Sequence, residues 1–329
     1  MGTTMRALVQ RSDLGPDDLV LTTDHHRPTP GPGEYLVRVG AAGVNFADVM
    51  QTRGTYGGGP TPPYVAGFEA AGEIVAIGPE VADPLPVGTH VIGAGPGAFA
   101  EYVVLPSASA LPVPSGWSDA EALGLVLNWA TALAALRPLG EVKAGDVVLV
   151  HAAAGGVGQA AVRLALHYGA RVIATASPAK HDTVRALGVD DVLDSAREDL
   201  GAEITRRTGG VDLVLESVGR DTFRTSLAVT KPFTGRVVVF GAASGDATLS
   251  THDLVFTHRV QVKGLHIGAL ADAAPSLYRS LLDELRALIA SGVHPPGTPH
   301  VHPLADGPAV LRRLEAGQTR GKHALDPRR

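Results

Sequence analysis

Two styles of hydrophobic patterning divide the chain. From Met5 to about Leu125 the apolar runs are short, irregular and broken by Pro and Gly: Arg6–Gln10, Glu34–Ala42, Ala70–Ile77, His90–Gly93 and Glu101–Leu105. That spacing predicts an antiparallel, barrel-like β domain. From about Leu127 to Gly264, runs of strand length alternate with stretches of helical period, which predicts a parallel sheet between helices. Its strands are expected at Val147–Val150, Arg171–Thr175, Asp191–Asp194, Val211–Ser217, Arg236–Phe240 and Gln261–Leu265. Six is the strand count of a doubly wound α/β fold. A helix is expected over Ala274–Ser291, followed by Pro-rich loops. The tail His300–Arg329 has room for a short helix and a strand that return to the first domain. The expected domains are therefore 1–126 with 265–329, and 127–264.

The junction between the first parallel strand and its helix carries chemistry. Val147–Val150 is followed at once by His151-Ala152-Ala153-Ala154-Gly155-Gly156-Val157-Gly158, and Gln159–Tyr168 then has helical spacing. A strand, a glycine turn and a helix N-terminus form a phosphate site. The glycines admit a pyrophosphate, and the unpaired amides of the first helical turn point at its oxygens. Ala154, Gly155, Gly156, Val157 and Gly158 are the expected contacts. The next strand, Arg171–Ala176, selects the cofactor. An NAD enzyme usually ends this strand in a carboxylate that holds the ribose 2′-hydroxyl. Here Ser177-Pro178-Ala179-Lys180 follows, with no carboxylate before Asp182. A hydroxyl and an ammonium suit a 2′-phosphate, so NADPH is expected at Ser177 and Lys180. Arg185 reads better as a solvated helix charge.

Composition narrows the classes. The 329 residues carry a net charge of -5 and no basic stripe, which argues against a nucleic-acid partner. Met1–Gly15 does not resemble a signal peptide, and the greasy run Leu123–Leu136 is too short to span a bilayer. A cytoplasmic protein with no membrane partner is expected. The chain has no cysteine, which excludes disulfides, thiolate metal ligands and cysteine nucleophiles. His294, His300 and His302 lie in a Pro-rich stretch without helical spacing or a carboxylate partner, and read as non-metal residues.

Several motifs together resemble the medium-chain dehydrogenase/reductase superfamily, especially its zinc-free quinone oxidoreductase branch. They are Gly43-Val44-Asn45-Phe46-Ala47-Asp48, Gly67-Phe68-Glu69-Ala70-Ala71-Gly72, His151–Gly158, Glu216-Ser217-Val218-Gly219-Arg220-Asp221 and Val239-Phe240-Gly241. Val148–Ala176 with Ser177–Lys180 is also similar to the enoyl reductase domains of modular polyketide synthases. The resemblance implies an α/β protein with a GroES-like β-rich catalytic domain interrupted by a Rossmann NADPH-binding domain. By motif alignment, the three positions that ligate catalytic zinc in metal-dependent relatives hold Asn45, Phe68 and Leu127 here, none a usual zinc ligand. Without such a Lewis acid, an isolated ketone is a poor hydride acceptor. A quinone or enone, whose product anion is delocalised, needs only hydrogen-bond donors.

The resemblance also implies site roles. Asn45 and Tyr56 match positions near the nicotinamide: Asn45 would orient the cofactor or a substrate oxygen. Tyr56 would either donate to the developing oxyanion or anchor the glycine-rich loop Gly57–Pro63. Thr131 matches a residue beside the nicotinamide ribose, although a helical hydroxyl also bonds the preceding turn. Phe240, Gly241, Ile267 and Gly268 would hold the carboxamide. Lys180 matches a lysine considered as a proton donor in the polyketide relatives; its place after the second strand favours the phosphate role. Ser195 replaces a tyrosine that touches the 2′-phosphate in some relatives, and Met50 replaces a second active-site aromatic. Glu216 is read as a structural carboxylate at the sheet end. The expected activity is NADPH-dependent reduction of a small quinone or enone. The alternatives are an enoyl-thioester reductase or a non-catalytic NADPH-binding protein. The family's pairing of sheets at the sixth strand, here Gln261–Leu265, implies a twofold homodimer.

Overall fold

The computed structural model describes residues 3–329. The first half of the chain forms β1 (Thr4–Gln10), β2 (Leu19–His26), β3 (Glu34–Val44), β4 (Tyr64–Val65), β5 (Glu69–Ile77), β6 (His90–Ala94), β7 (Tyr102–Pro106) and β8 (Leu111–Pro112). The alternating segment forms β9 (Val147–Val150), β10 (Arg171–Ala176), β11 (Val192–Asp194), β12 (Leu213–Glu216), β13 (Arg236–Val239) and β14 (Gln261–Gly264). Two more strands, β15 (His300–Pro303) and β16 (His323–Asp326), lie in the tail, where one had been expected; β2 had not been expected at all. Its register of exposed and half-buried residues gives little apolar alternation to read.

The chain divides into two compact units. One runs to Leu127 and resumes at Pro295, and the other is Asn128–His294. The return therefore falls at 294/295, not at 264/265 as the patterning suggested. Residues 265–294 stay with the second unit for a packing reason. The helix Pro275–Ala290 buries Tyr278, Leu281, Leu282, Leu285 and Leu288 on one face. Tyr168 Oη donates to Glu284 at 2.6 Å, and Trp129 stacks on His294 with ring centroids 3.6 Å apart.

In the first unit, β1 joins β2 and β4 in one antiparallel sheet. A second sheet runs β15-β16-β3-β5-β6-β8, with β7 paired to the other part of β3. The β3–β5 register slips twice, at Leu36/Val37 and at Val39/Ala41. Such bulges bend and twist a sheet, and here they let one strand serve two neighbours on the same side. The core contains Leu8, Ile74, Phe99, Leu105, Leu311 and Leu325.

The second unit is a six-stranded parallel sheet in the order β11-β10-β9-β12-β13-β14. Numbered within the unit, this is 3-2-1-4-5-6, the doubly wound order whose ligand crevice lies at the carboxyl ends of the strands. The central strands β9, β12 and β13 are near-continuous apolar runs, the pattern of a parallel sheet buried on both faces, whereas β14 at the edge has no buried residue. Leu149, Ile173, Val214 and Val237 are fully buried. One helical stretch, Asp119–Leu139, has the length and composition to cross a membrane. Its residues Leu125, Val126 and Ala130–Leu136 are buried in the protein, as in a core helix.

Candidate active site

In the second unit the strand, the glycine turn and the helix start form as the sequence suggests. Gly155 is extended, and the twelve-residue helix Gly156–His167 starts directly after it. A Cβ at Gly158 would run into the Ala152 carbonyl and the Ala153 backbone, and one at Gly156 would touch the Asn128 amide. Gly158 is therefore needed for the helix to lie against the turn leaving β9, while Gly156 leaves room for the Asn128 side chain. Ala152 itself holds a left-handed φ of 48°, a strained conformation for a residue with a side chain. The helix thus presents its first amides at the carboxyl end of β9.

Beyond β10, Ser177 is half-buried and opens the short turn Pro178–Lys180, in which Lys180 N–H donates to the Ser177 carbonyl at 2.8 Å. Ala176 pairs with Asp194 across β10 and β11, so Ser177 and Ser195 follow adjacent strand ends. Ser195 N–H donates to the Ala176 carbonyl at 3.0 Å. Arg185 is an exposed charge on its helix, as expected, and pairs with exposed Asp182 at 3.2 Å. Thr131 is buried on the helix Ala130–Ala134. At the end of β13, Phe240 N–H donates to the Glu216 carbonyl at 2.9 Å, and a Cβ at Gly241 would strike the Ser217 backbone. Ile267 and Gly268 begin a helix capped by His266, whose Nδ1 accepts from Ala269 N–H at 2.9 Å.

Beneath these turns lies a polar chain that the sequence did not reveal. Glu216 is fully buried, and its Oε1 accepts from Val218 N–H (2.8 Å), Gly219 N–H (3.0 Å) and Thr222 Oγ1 (2.8 Å). Ser226 Oγ donates to Glu216 Oε2 at 2.5 Å. That uses its only hydrogen, so His151 Nε2, 3.1 Å away, must be the donor to Ser226. His151 Nδ1 then accepts from Thr175 Oγ1 at 2.9 Å. Burial holds the imidazole below its ordinary pKa, which keeps it neutral in this chain of bonds. The network joins β9, β10, β12 and the helix Phe223–Val229, and it fixes the Val218-Gly219 turn. Glu216 has the structural part expected of it.

The first unit holds a different kind of site. Asn45 caps the helix Phe46–Thr52, and its N–H donates to Asp48 Oδ2 at 2.7 Å. Its side chain is held on both ends. Lys322 Nζ donates to Asn45 Oδ1 at 2.7 Å, while Asn45 Nδ2 faces the Gly43 carbonyl and Glu69 Oε2, each at 3.3 Å. Lys322 also donates to Glu69 Oε2 at 2.6 Å, and Gly124 N–H binds Glu69 Oε1 at 2.7 Å. Glu69 is fully buried. The motif glycine Gly43 is opposite Glu69 in the β3–β5 register, and a Cβ there would run into the Glu69 carboxylate.

Asp48 is buried beside this ion pair, and its Oδ1 has no hydrogen-bond partner. Burial pushes its carboxyl up to about 7, against the opposing backbone bond from Asn45 and the Lys322 charge. Tyr56 packs on Phe68 with ring centroids 5.1 Å apart and planes at 53°. Burial and then the Asp48 charge push its phenol above the ordinary value. It therefore stays protonated at neutral pH and can donate.

The residues in the positions that bind zinc in relatives do not fit a metal. Asn45 is held by an ammonium, the Phe68 ring lies against Tyr56, Leu127 is aliphatic, and the nearby carboxylate Glu69 is taken by Lys322. His300 and His302 both lie against the His323 ring, with His302 Nε2 3.0 Å from His323 Nδ1, whereas His294 stacks on Trp129. Among the described residues no group of three or more acidic or histidine side chains is arranged to hold a metal ion. Glu69 and Asp48 stood in quoted motifs without a role. Lys322 carried no local signal, since its partners are 253 and 277 positions away.

Residues 31–115 match the family model described as alcohol dehydrogenase GroES-like domain, and residues 156–286 match zinc-binding dehydrogenase. A mycobacterial protein, Rv1454c, solved in complex with NADPH, is 32% identical with a TM-score of 0.92, covering 98% of this chain and 100% of that one. The quinone oxidoreductase of Pseudomonas syringae pv. Tomato DC3000 is 33% identical with a TM-score of 0.90, over 98% of this chain and 100% of that one. A mycocerosic acid synthase-like polyketide synthase of Mycobacterium tuberculosis (strain ATCC 25618 / H37Rv) is 37% identical over 307 residues, which is 91% of this chain. The chain spans only 14% of the length of that synthase.

Proposed function

The chain belongs to the medium-chain dehydrogenase/reductase superfamily, and from that premise we propose an NADPH-dependent reductase of quinones or other α,β-unsaturated carbonyls that works without zinc. The observation that carries the reading is the end of β10. Ser177 and Lys180 stand where a ribose-binding carboxylate would repel a 2′-phosphate, beside the glycine turn Gly155–Gly158. NADPH would be held by that turn, by Ser177, Lys180 and Ser195 at the phosphate, and by Thr131, Phe240, Gly241, Ile267 and Gly268 nearer the nicotinamide. Bound there, it supplies a hydride. Tyr56 donates a hydrogen bond or proton to the oxygen that becomes an enolate or phenolate, and its raised pKa keeps the phenol loaded. Asn45, held between Lys322 and Glu69, fixes the polar corner beside the Tyr56–Phe68 pair.

The polyketide synthase relatives favour a second reading on the same chemistry, in which the acceptor is an enoyl thioester delivered by a carrier partner. NADPH oxidation measured with a quinone, a simple enone and a crotonyl thioester separates the two. Turnover with none of them, alongside NADPH binding, overturns both and leaves a non-catalytic binding protein. We also propose a twofold homodimer through β14, the outer strand of the parallel sheet, next to exposed Val255 and Phe256. A monomer mass by light scattering at micromolar concentration overturns it.

A further inference from the structure

We propose that Lys322 is a positioning residue of the first unit: its ammonium, anchored on Glu69, holds the Asn45 amide in one orientation and supplies fixed positive charge against which negative charge on a bound carbonyl oxygen develops. The proposal rests on the reductase reading above, and it assigns a role to a residue that no motif marked.

The geometry is built where the start of β5 meets the residue after β3 and the residue before β16. An ammonium can only donate, so the atom of Asn45 at 2.7 Å from Lys322 Nζ must be the amide oxygen. That choice sets the amide's other end, which faces the Gly43 carbonyl and Glu69 Oε2. Glu69 cannot turn away, because Gly124 N–H holds Oε1 at 2.7 Å while Oε2 meets the ammonium at 2.6 Å. Lys322 is brought there by the antiparallel pairing of β16 with β3, which sets His323 opposite Val44, the residue before Asn45. The lysine side chain is only 12% exposed and Glu69 is 0% exposed, so solvent screens the pair little.

Counting charge shows why the ammonium matters. The groups that face one another here are Lys322, Glu69, Asp48 on the helix after Asn45, and the phenols of Tyr56 and Tyr64, the latter also near Asp13. With Asp48 protonated the corner is neutral, and with Asp48 ionised it carries one negative charge. Without Lys322 each state is one charge more negative, which opposes an oxyanion in a poorly screened place. The lost ammonium would also push the Asp48 carboxyl further up, since its charge opposes the burial of that carboxylate.

The test compares Lys322→Met, Lys322→Arg and the double variant Lys322→Met/Glu69→Gln with wild type. Lys322→Met is expected to lower kcat at least about tenfold with the wild-type acceptor, while KM for NADPH stays within about twofold. Lys322→Arg should recover most of kcat. The double variant removes both charges, so its thermal midpoint should return toward wild type while kcat stays low. Wild-type kcat in the double variant or in Lys322→Met overturns the proposal, because the lysine then only neutralises Glu69. A second readout needs no turnover: the Asp48 carboxyl, followed by 13C NMR, should titrate at higher pH in the double variant than in Glu69→Gln alone. An unchanged titration also overturns it. If wild type reduces none of the acceptors, the reductase reading fails by itself, and the NMR titration still decides whether Lys322 sets the charge of this corner.

Discussion

Each unit buries one glutamate completely, and the two are satisfied by opposite means. Glu216 accepts from neutral donors at positions 218, 219, 222 and 226, all within ten residues along the chain. Glu69 is held by Gly124, Asn45 and the Lys322 ammonium, of which the nearest in sequence is 24 positions away. The first arrangement is a stiff local turn that needs no counter-ion. It holds the Val218-Gly219 turn at the end of β12 in place. The second closes a charge pair across the sheet, and its stability depends on both partners being present. A buried pair contributes modestly as a pair, yet losing one member strands the other charge away from water. Buried carboxylates therefore do not form one class: the partner set decides whether they serve geometry or electrostatics.

The comparison breaks most visibly under neutralisation. Glu69→Gln leaves the Lys322 ammonium without its carboxylate and should cost about 3–5 kcal/mol of folding stability. Glu216→Gln retains part of its hydrogen bonding and should cost about 1–3 kcal/mol. Chemical denaturation of both variants checks the gap, and equal losses would erase the distinction between the units. On the catalytic side, Tyr56→Phe removes the phenol but keeps its packing on Phe68. We expect kcat to fall about tenfold to a thousandfold, with enones hit harder than quinones because an enolate is the less stable anion. An unchanged kcat with both acceptors would reduce Tyr56 to a loop anchor.

Asp48 sharpens the contrast through pH. Its folded-state pKa of about 7 lies above the unfolded value of 3.8, so the folded protein binds the extra proton between those limits. Its contribution to stability is fully present below about pH 4 and is lost as pH rises toward 7, on the order of a few kcal/mol at roughly 1.36 kcal/mol per unit. His323 acts in the opposite sense: burial lowers its folded pKa to about 4, so its contribution is present above 6.5 and lost as pH falls. The informative quantity is thus the difference between wild type and Asp48→Asn, measured as denaturation midpoints from pH 4 to 7. A difference that stays flat across this range would show that Asp48 is not protonated in the fold. The smallest expected effect belongs to the phosphate end. Lys180→Ala should raise KM for NADPH about tenfold, the worth of one charge-assisted hydrogen bond, and leave KM for NADH nearly unchanged. Equal losses with both cofactors would move Lys180 from phosphate binding to catalysis.

Much of the second unit was legible because its determinants are local. Strand β9, the glycine turn and the helix after it are contiguous, and all six parallel strands fall where the apolar runs place them. The glycine at 158 is dictated by a helix lying on its own preceding turn. The polar chain under that turn was not legible, because His151, Thr175, Ser226 and Glu216 come from separate elements and none has a distinctive spacing. The return boundary escaped for a related reason. The period of Pro275–Ala290 shows that the helix buries a face, while the identity of the surface it meets depends on packing.

Residue identity and short periods alone show the alternation of two architectures, the glycine turn ahead of a helix, the lack of zinc ligands at Asn45, Phe68 and Leu127, and the absence of a carboxylate at the end of β10. These rest on residue identity and on periods of a few residues, which the chain displays directly. It takes the folded chain to bring Lys322 to Asn45 and Glu69, to bury Asp48 with an unpartnered oxygen and to rest Tyr56 on Phe68. The reason is physical. The charge on a carboxylate or an ammonium is governed by how far water is excluded and by which opposite charge is brought near, and both are products of sheet pairing between segments hundreds of residues apart.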